Sequence, residues 1–218
     1  MPELITISLT WWLISLSGVL MPGPVAAVAI SEGARRGFVA GPLITVGHAA
    51  AEIAMLVVLG VGLTQVLKQP AVVGLIGVLG GVVLAWMGWG ITSAAWRNAI
   101  EPPRGNAGAG PARLGLIRAG LLTTVGNPYW LLWWLTVGAS YFVLFSRFGW
   151  PALIVLFYVG HTTLDLAWNC FLALVVGAGR GRIAPGVYRG VLGVCGVFVM
   201  AMSVYFLVSG VGFLRGIR

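Results

Sequence analysis

The chain has 218 residues, 59% hydrophobic and 8% charged, with a formal net charge of +8. Soluble domains carry about 25% charged residues, so a soluble globular fold is excluded and the chain reads as integral to a membrane. The positive excess does not indicate nucleic acid, because the arginines fall between apolar spans rather than on one face; they read as topology determinants.

Charged residues divide the sequence into six apolar stretches, 4–31, 37–67, 69–96, 119–146, 148–179 and 190–214. Each exceeds the roughly 20 residues that a helix needs to cross a bilayer. None shows two-residue alternation, so helices rather than a barrel are the expected spanning form. The first stretch follows Glu3 and lacks a basic leader, which predicts a retained helix rather than a cleaved signal. It contains Met21-Pro22-Gly23-Pro24. Each proline removes a backbone donor and clashes with the carbonyl four residues back, so span 1 is expected to open or kink there. Arg35 and Arg36 follow in the first loop.

Span 2 carries His48 and, four residues on, Glu52, which is the only charged residue between Arg36 and Lys68. Residues four apart share a helix face, so the two side chains can meet. Span 3 opens with glycines at 74, 77, 80 and 81. Small residues at this spacing let helices pack closely in lipid. Their partner can lie in the same chain or in a second copy, which keeps a homodimer open. Asn98 to Pro111 is rich in Gly and Pro and reads as a flexible linker (98–113) between a first unit, 1–97, and a second, 114–218.

Span 4 contains Gly126-Asn127-Pro128, where a second helix break is expected, followed by Tyr129, Trp130, Trp133 and Trp134. Such aromatics either pack at membrane interfaces, as expected of Trp96 and Trp150, or line a cavity and face a cation. Span 5 repeats the earlier pair as His161 and Asp165, the latter alone between Arg147 and Arg180. Span 6 opens with Gly190, Gly193 and Gly196. Cys170 and Cys195 fall inside spans and read as small apolar residues rather than a disulfide.

Three landmarks recur in order: a break in spans 1 and 4, a Gly-His pair with its acid in spans 2 and 5, and a glycine row in spans 3 and 6. Three spans per half is an odd number, so a duplicated second half must be inverted. The expected fold class is an all-α integral membrane protein of six transmembrane helices, arranged as two inverted three-helix repeats with helices 1 and 4 broken. Nine Lys and Arg fall in loops 1–2, 3–4 and 5–6 (Arg35, Arg36, Arg97, Arg104, Arg113, Arg118, Arg180, Arg182, Arg189), against Lys68, Arg147, Arg215 and Arg218 on the other side. The positive-inside rule places both termini outside the cytoplasm. Counted from these charges, both breaks fall nearer the cytoplasmic side, whereas strict inversion puts them on opposite sides or both at the centre.

A charge at the bilayer centre costs roughly 2.5–3.5 kcal/mol on the lenient insertion scale, so two buried acids need partners or a task. Three mechanisms fit. Glu52 and Asp165 can take and release protons while His48 and His161 tune them. The acids can instead receive a substrate amine, while the half-helix N-termini at the breaks hold its carboxylate. Or the two imidazoles and two carboxylates can bind a divalent metal. A plainer alternative makes each pair a hydrogen-bonded bridge between helices, although such pairs add little net stability.

Pro22-Gly23-Pro24, the arginine loop after it, and the segment Thr123 to Trp134 (TTVGNPYWLLWW) resemble the lysine-exporter (LysE) family over nearly the whole chain. The resemblance implies a six-helix inner-membrane carrier exporting amino acids or related metabolites, driven by an ion gradient. Many members have a polar residue after Pro-Gly-Pro and a lysine after Asn-Pro; this chain has Val25 and Tyr129. Lysine as substrate therefore does not carry over. Small-molecule export coupled to protons ranks first, divalent-metal transport second, and a membrane assembly factor third. No phosphate loop, Walker-type lysine or nucleophile–base constellation is present, so neither a nucleotide site, an enzyme nor a cofactor is expected.

Overall fold

The computed structural model describes residues 2–62, 69–97, 113–179, 182 and 184–216. Its elements are helical throughout. In chain order they are α1 (Pro2–Val19), α2 (Pro24–Arg36), α3 (Ala40–Gly60), α4 (Pro70–Trp96), α5 (Arg113–Val125), α6 (Pro128–Ser146), α7 (Ala152–Ala178) and α8 (Pro185–Leu214). Among the described residues, six helical segments are long and apolar enough to cross a membrane. The expected linker falls outside the described residues, except that Arg113 already belongs to α5.

The first break falls where the prolines predict. α1 ends at Val19, and Pro24 opens α2 from its first turn, where its missing N–H costs nothing. Gly23 between them is extended, with φ −135° and ψ −172°. At the second break Asn127 caps α6: its Oδ1 accepts the Tyr129 N–H at 3.1 Å, and Pro128 takes the first helical position. The boundaries of span 1 differ from the sequence reading. Span 1 is split between α1 and α2, and α2 continues through a single 3-10 turn at Gly37–Val39 into α3. Gly37 has φ 74°, a left-handed conformation that glycine enters without penalty, and it bends the track there.

α4 and α8 pack along their length through the glycine rows. A Cβ on Gly77 would lie 3.0 Å from the Gly210 Cα, and one on Gly81 would lie 2.8 Å from the Leu207 side chain. The Ser203 hydroxyl donates to the Gly81 carbonyl at 2.9 Å. The α4 row therefore finds its partner within the chain. Both cysteines are free.

α3 and α5 cross still more closely. A Cβ on Gly47 would overlap the Ile117 carbonyl oxygen, and one on Gly120 would overlap that of Ile44. Only two glycines permit this approach, and it sets His48, the residue after Gly47, against α5. The outer surface is apolar, with Leu13, Trp86 and Val208 among the most exposed side chains, whereas the buried set includes His48, Glu52, His161, Asp165 and Asn169. Polar-inside, apolar-outside is the pattern a lipid solvent imposes.

Candidate functional site: a buried histidine–acid cluster beside two helix breaks

The buried stripe of α3 runs through Gly41, Thr45, His48, Glu52 and Met55. That of α7 runs through His161, Asp165, Asn169 and Ala173. Helical spacing of three and four aligns each set. The two stripes face one another, and the two expected pairs merge into one cluster. His48 Nε2 lies 3.3 Å from Glu52 Oε1 and 3.6 Å from Asp165 Oδ1. His161 Nε2 lies 3.0 Å from the same Glu52 oxygen and 3.4 Å from Asp165 Oδ2. Each imidazole thus touches both carboxylates, one on its own helix and one across.

The supporting contacts come from residues that the sequence reading did not single out. The Thr162 hydroxyl lies within donating distance of Glu52 Oε2, at 3.1 Å, and of the Tyr158 carbonyl, at 2.9 Å, and its one proton serves either. His48 Nδ1 lies 2.7 Å from the Thr124 hydroxyl, which itself donates to the Gly120 carbonyl at 2.7 Å. Asn169 Nδ2 donates to Thr45 Oγ1 at 3.2 Å. Continuing the spacing of four from Asp165 finds Asn169, and stepping three back from His48 finds Thr45; that signal was present. Thr124 carries no such mark, because its partner lies 76 residues away.

His161 is boxed by indoles. Trp11, Trp133 and Trp134 have ring centroids 5.2, 5.3 and 5.4 Å from its ring, with Trp133 stacked at 21°. Trp11 is fully buried and is fixed by a hydrogen bond from its Nε1 to the Phe157 carbonyl at 2.9 Å. Trp12 donates likewise to the Leu156 carbonyl at 3.1 Å. Both acceptors lie in the π-helical stretch Ala152–Val159, and such wide turns occur often at functional sites. A second π-helical stretch, Trp134–Gly138, starts within the aromatic run itself.

An open-mouthed cavity adjoins the cluster. Both helix breaks line it, through Pro22, Gly23, Pro24, Asn127 and the neighbouring Met21. The breaks meet: a Cβ on Gly23 would sit 4.0 Å from Asn127 Nδ2. Tyr129, Trp130, Trp133 and Trp134 line the cavity too, so all four aromatics after the second break face it. His48, His161 and Asp165 reach its wall, whereas Glu52, with no exposed surface, stands behind them. Several wall residues have polar atoms without a hydrogen bond, namely His161 Nδ1, Asp165 Oδ2 and the indole nitrogens of Trp130, Trp134 and Trp168. Unpaired buried groups cost about 1–3 kcal/mol each, so the surroundings of the cluster carry a desolvation cost.

A multi-pass helical membrane protein with ionisable side chains drawn around an internal cavity at broken helices has the architecture of a secondary transporter. The comparisons agree. The chain belongs to the LysE type translocator family, whose family model matches residues 16–210. It is also similar to a protein of Bacillus subtilis (strain 168) named "Putative amino acid efflux protein YcgF", with 25% identity over 211 residues covering 96% of this chain and 99% of that one. No solved structure matches the chain.

Proposed function

We propose that the protein exports amino acids or closely related metabolites across the plasma membrane, coupled to protons, with both termini outside the cytoplasm and the two repeats inverted. The observation that carries this reading is the four-membered cluster. Two acids and two imidazoles in mutual contact can hold, share and release a proton inside lipid, and three of the four reach the cavity wall. The relative's name supports the amino-acid substrate.

The roles follow from placement. Asp165 receives the substrate ammonium at the cavity wall. The first amides of α2, at Val25 and Ala26, have no carbonyl partner in the turn before them, and they receive the carboxylate together with the N-terminal end of the helix dipole. Glu52, sealed from the cavity, holds the coupling proton with the two histidines. Thr124 links that proton to the second break. While its single hydroxyl proton goes to Gly120, His48 Nδ1 must be the donor between them. When the hydroxyl turns to donate to Nδ1, His48 has given up that proton. The residue lies three positions before Asn127, so movement of the break turns the hydroxyl.

A second reading has its own observation. His48, Glu52 and Asp165 present ligand atoms all within 4.8 Å of one another, a mixed nitrogen–oxygen set suited to a divalent cation as cargo. Reconstituted vesicles separate the two. On the first reading, an outward amino-acid gradient moves protons, followed by an internal pH dye, and a chelator has no effect. Flux of Zn²⁺ or Mn²⁺ with no amino-acid response would replace it with the second. The α4 glycine row packs against α8 within the chain.

A further inference from the structure

We infer that the cavity selects amino acids with an uncharged, apolar side chain, and that α4 and α8 supply the selecting wall. This rests on the amino-acid reading above and narrows it.

The cavity has two chemically different sides. Its polar groups come from α3, α5, α6 and α7 and from the breaks. The residues that α4 and α8 contribute are Leu84, Phe198, Val199 and Met202. These four offer no charge and no hydrogen-bonding group to a ligand, and Leu84 and Val199 belong to one buried apolar cluster. Among the described residues that line the cavity, Asp165 is the only carboxylate, and there is no Lys or Arg.

Charge accounting then restricts the substrate. A zwitterionic backbone brings one ammonium and one carboxylate. Asp165, the carboxylate at the cavity wall, answers the ammonium. The Asn127 side-chain amide and the break amides are donors at the cavity wall and answer the carboxylate. The two wall imidazoles are engaged with Glu52 and Asp165, and no Lys, Arg or second carboxylate lines the cavity to answer a second charge. A lysine-like ε-ammonium would have to lie against Leu84, Phe198, Val199 and Met202 without an acid, and a glutamate-like carboxylate would find no cation there. Stranding a charge in such surroundings is unfavourable by an amount that corresponds to roughly a hundredfold in affinity. An apolar tail instead gains by leaving water.

The test compares norleucine, lysine and glutamate on the purified wild-type protein by calorimetry and by counterflow in vesicles. Norleucine and lysine have the same chain length and differ at the tail end by a methyl against an ammonium. Norleucine is expected to bind roughly a hundredfold more tightly than lysine or glutamate. Lysine or glutamate binding as tightly as norleucine would overturn this inference while leaving amino-acid export standing. Failure of all three to bind or move would overturn the export reading and this one with it. Phe198→Ala sharpens the result: it should weaken norleucine about tenfold and leave lysine unchanged, since one buried aromatic face is worth at least that much. Equal loss for both ligands would place Phe198 outside the tail pocket and overturn the assignment of this wall.

Discussion

The two Gly-His motifs begin alike and end in different surroundings. In α3, His48 is held by the Thr124 hydroxyl and is followed by Ala49, which has no hydroxyl to lend. In α7, His161 has no hydrogen bond at Nδ1, is enclosed by three indoles, and is followed by Thr162, which reaches across to Glu52. The acids diverge in the same sense. Glu52 is sealed and served by a hydroxyl as well as two imidazoles; Asp165 reaches the cavity and lacks the hydroxyl. One acid is thus sealed and the other stands at the cavity wall, a difference that suits the proposed division between a proton half-site and a substrate half-site.

Substituting the acids should separate these duties, and the largest effect is expected at Glu52. Glu52→Gln leaves two imidazoles without their shared partner and should abolish proton-coupled flux, while norleucine or another accepted amino acid still binds within about threefold of wild type, a range typical of contacts not made directly. The inserted protein should also lose roughly 3–5 kcal/mol of stability in denaturant titration, as when one member of a buried ion pair is removed. Asp165→Asn should show the reverse emphasis. Binding measured by calorimetry should weaken about ten- to hundredfold through loss of a charged hydrogen bond. Identical profiles for the two variants would mean that the cluster works as one undivided group, and the division into half-sites would fail.

Thr124→Val comes next in size. It keeps the shape, removes the hydroxyl between His48 and Gly120, and should slow coupled transport about fivefold, in line with about 1 kcal/mol for one neutral hydrogen bond. Thr124→Ser should restore it. If serine fails to rescue, the methyl group rather than the hydroxyl is what matters, and the link from the break to His48 is lost.

Much of this was legible before any coordinates. The spans, both breaks and both His–acid pairs follow from local spacing and proline chemistry, which need no knowledge of distant residues. Asn127-Pro128 carries its own explanation, a capping side chain followed by a first-turn proline. Long-range packing was not legible. That His48 touches Asp165 and His161 touches Glu52 depends on how α3 and α7 are pressed together, and the overlapping approach of Gly47 to Ile117 has no local sign beyond one more glycine in a glycine-rich chain. Nothing local marks Trp11 as the hub of the aromatic box, because its acceptor, the Phe157 carbonyl, lies 146 residues away. The break positions posed a difficulty in sequence: both fall nearer the cytoplasmic side by charge count, whereas strict inversion puts them on opposite sides or both at the centre. In the fold both breaks line one cavity.

The smallest expected effect is also the most discriminating. Trp133→Leu removes the ring stacked on His161 and should change coupled transport only two- to fivefold, the scale of about 0.5–1 kcal/mol for one aromatic face. Alone, a change of that size says little. Combined with Thr124→Val it becomes a double-mutant cycle on the two histidines, each variant touching one imidazole and neither touching an acid. If His48 and His161 act independently, the two losses multiply. If they share a proton through the single Glu52 oxygen that both approach, at 3.3 and 3.0 Å, weakening one already disturbs the other, and the combined loss departs from the product by several-fold. Strict multiplicativity in transport rates would leave the cluster as two neighbouring pairs, and Glu52 would lose its place as the joint between them.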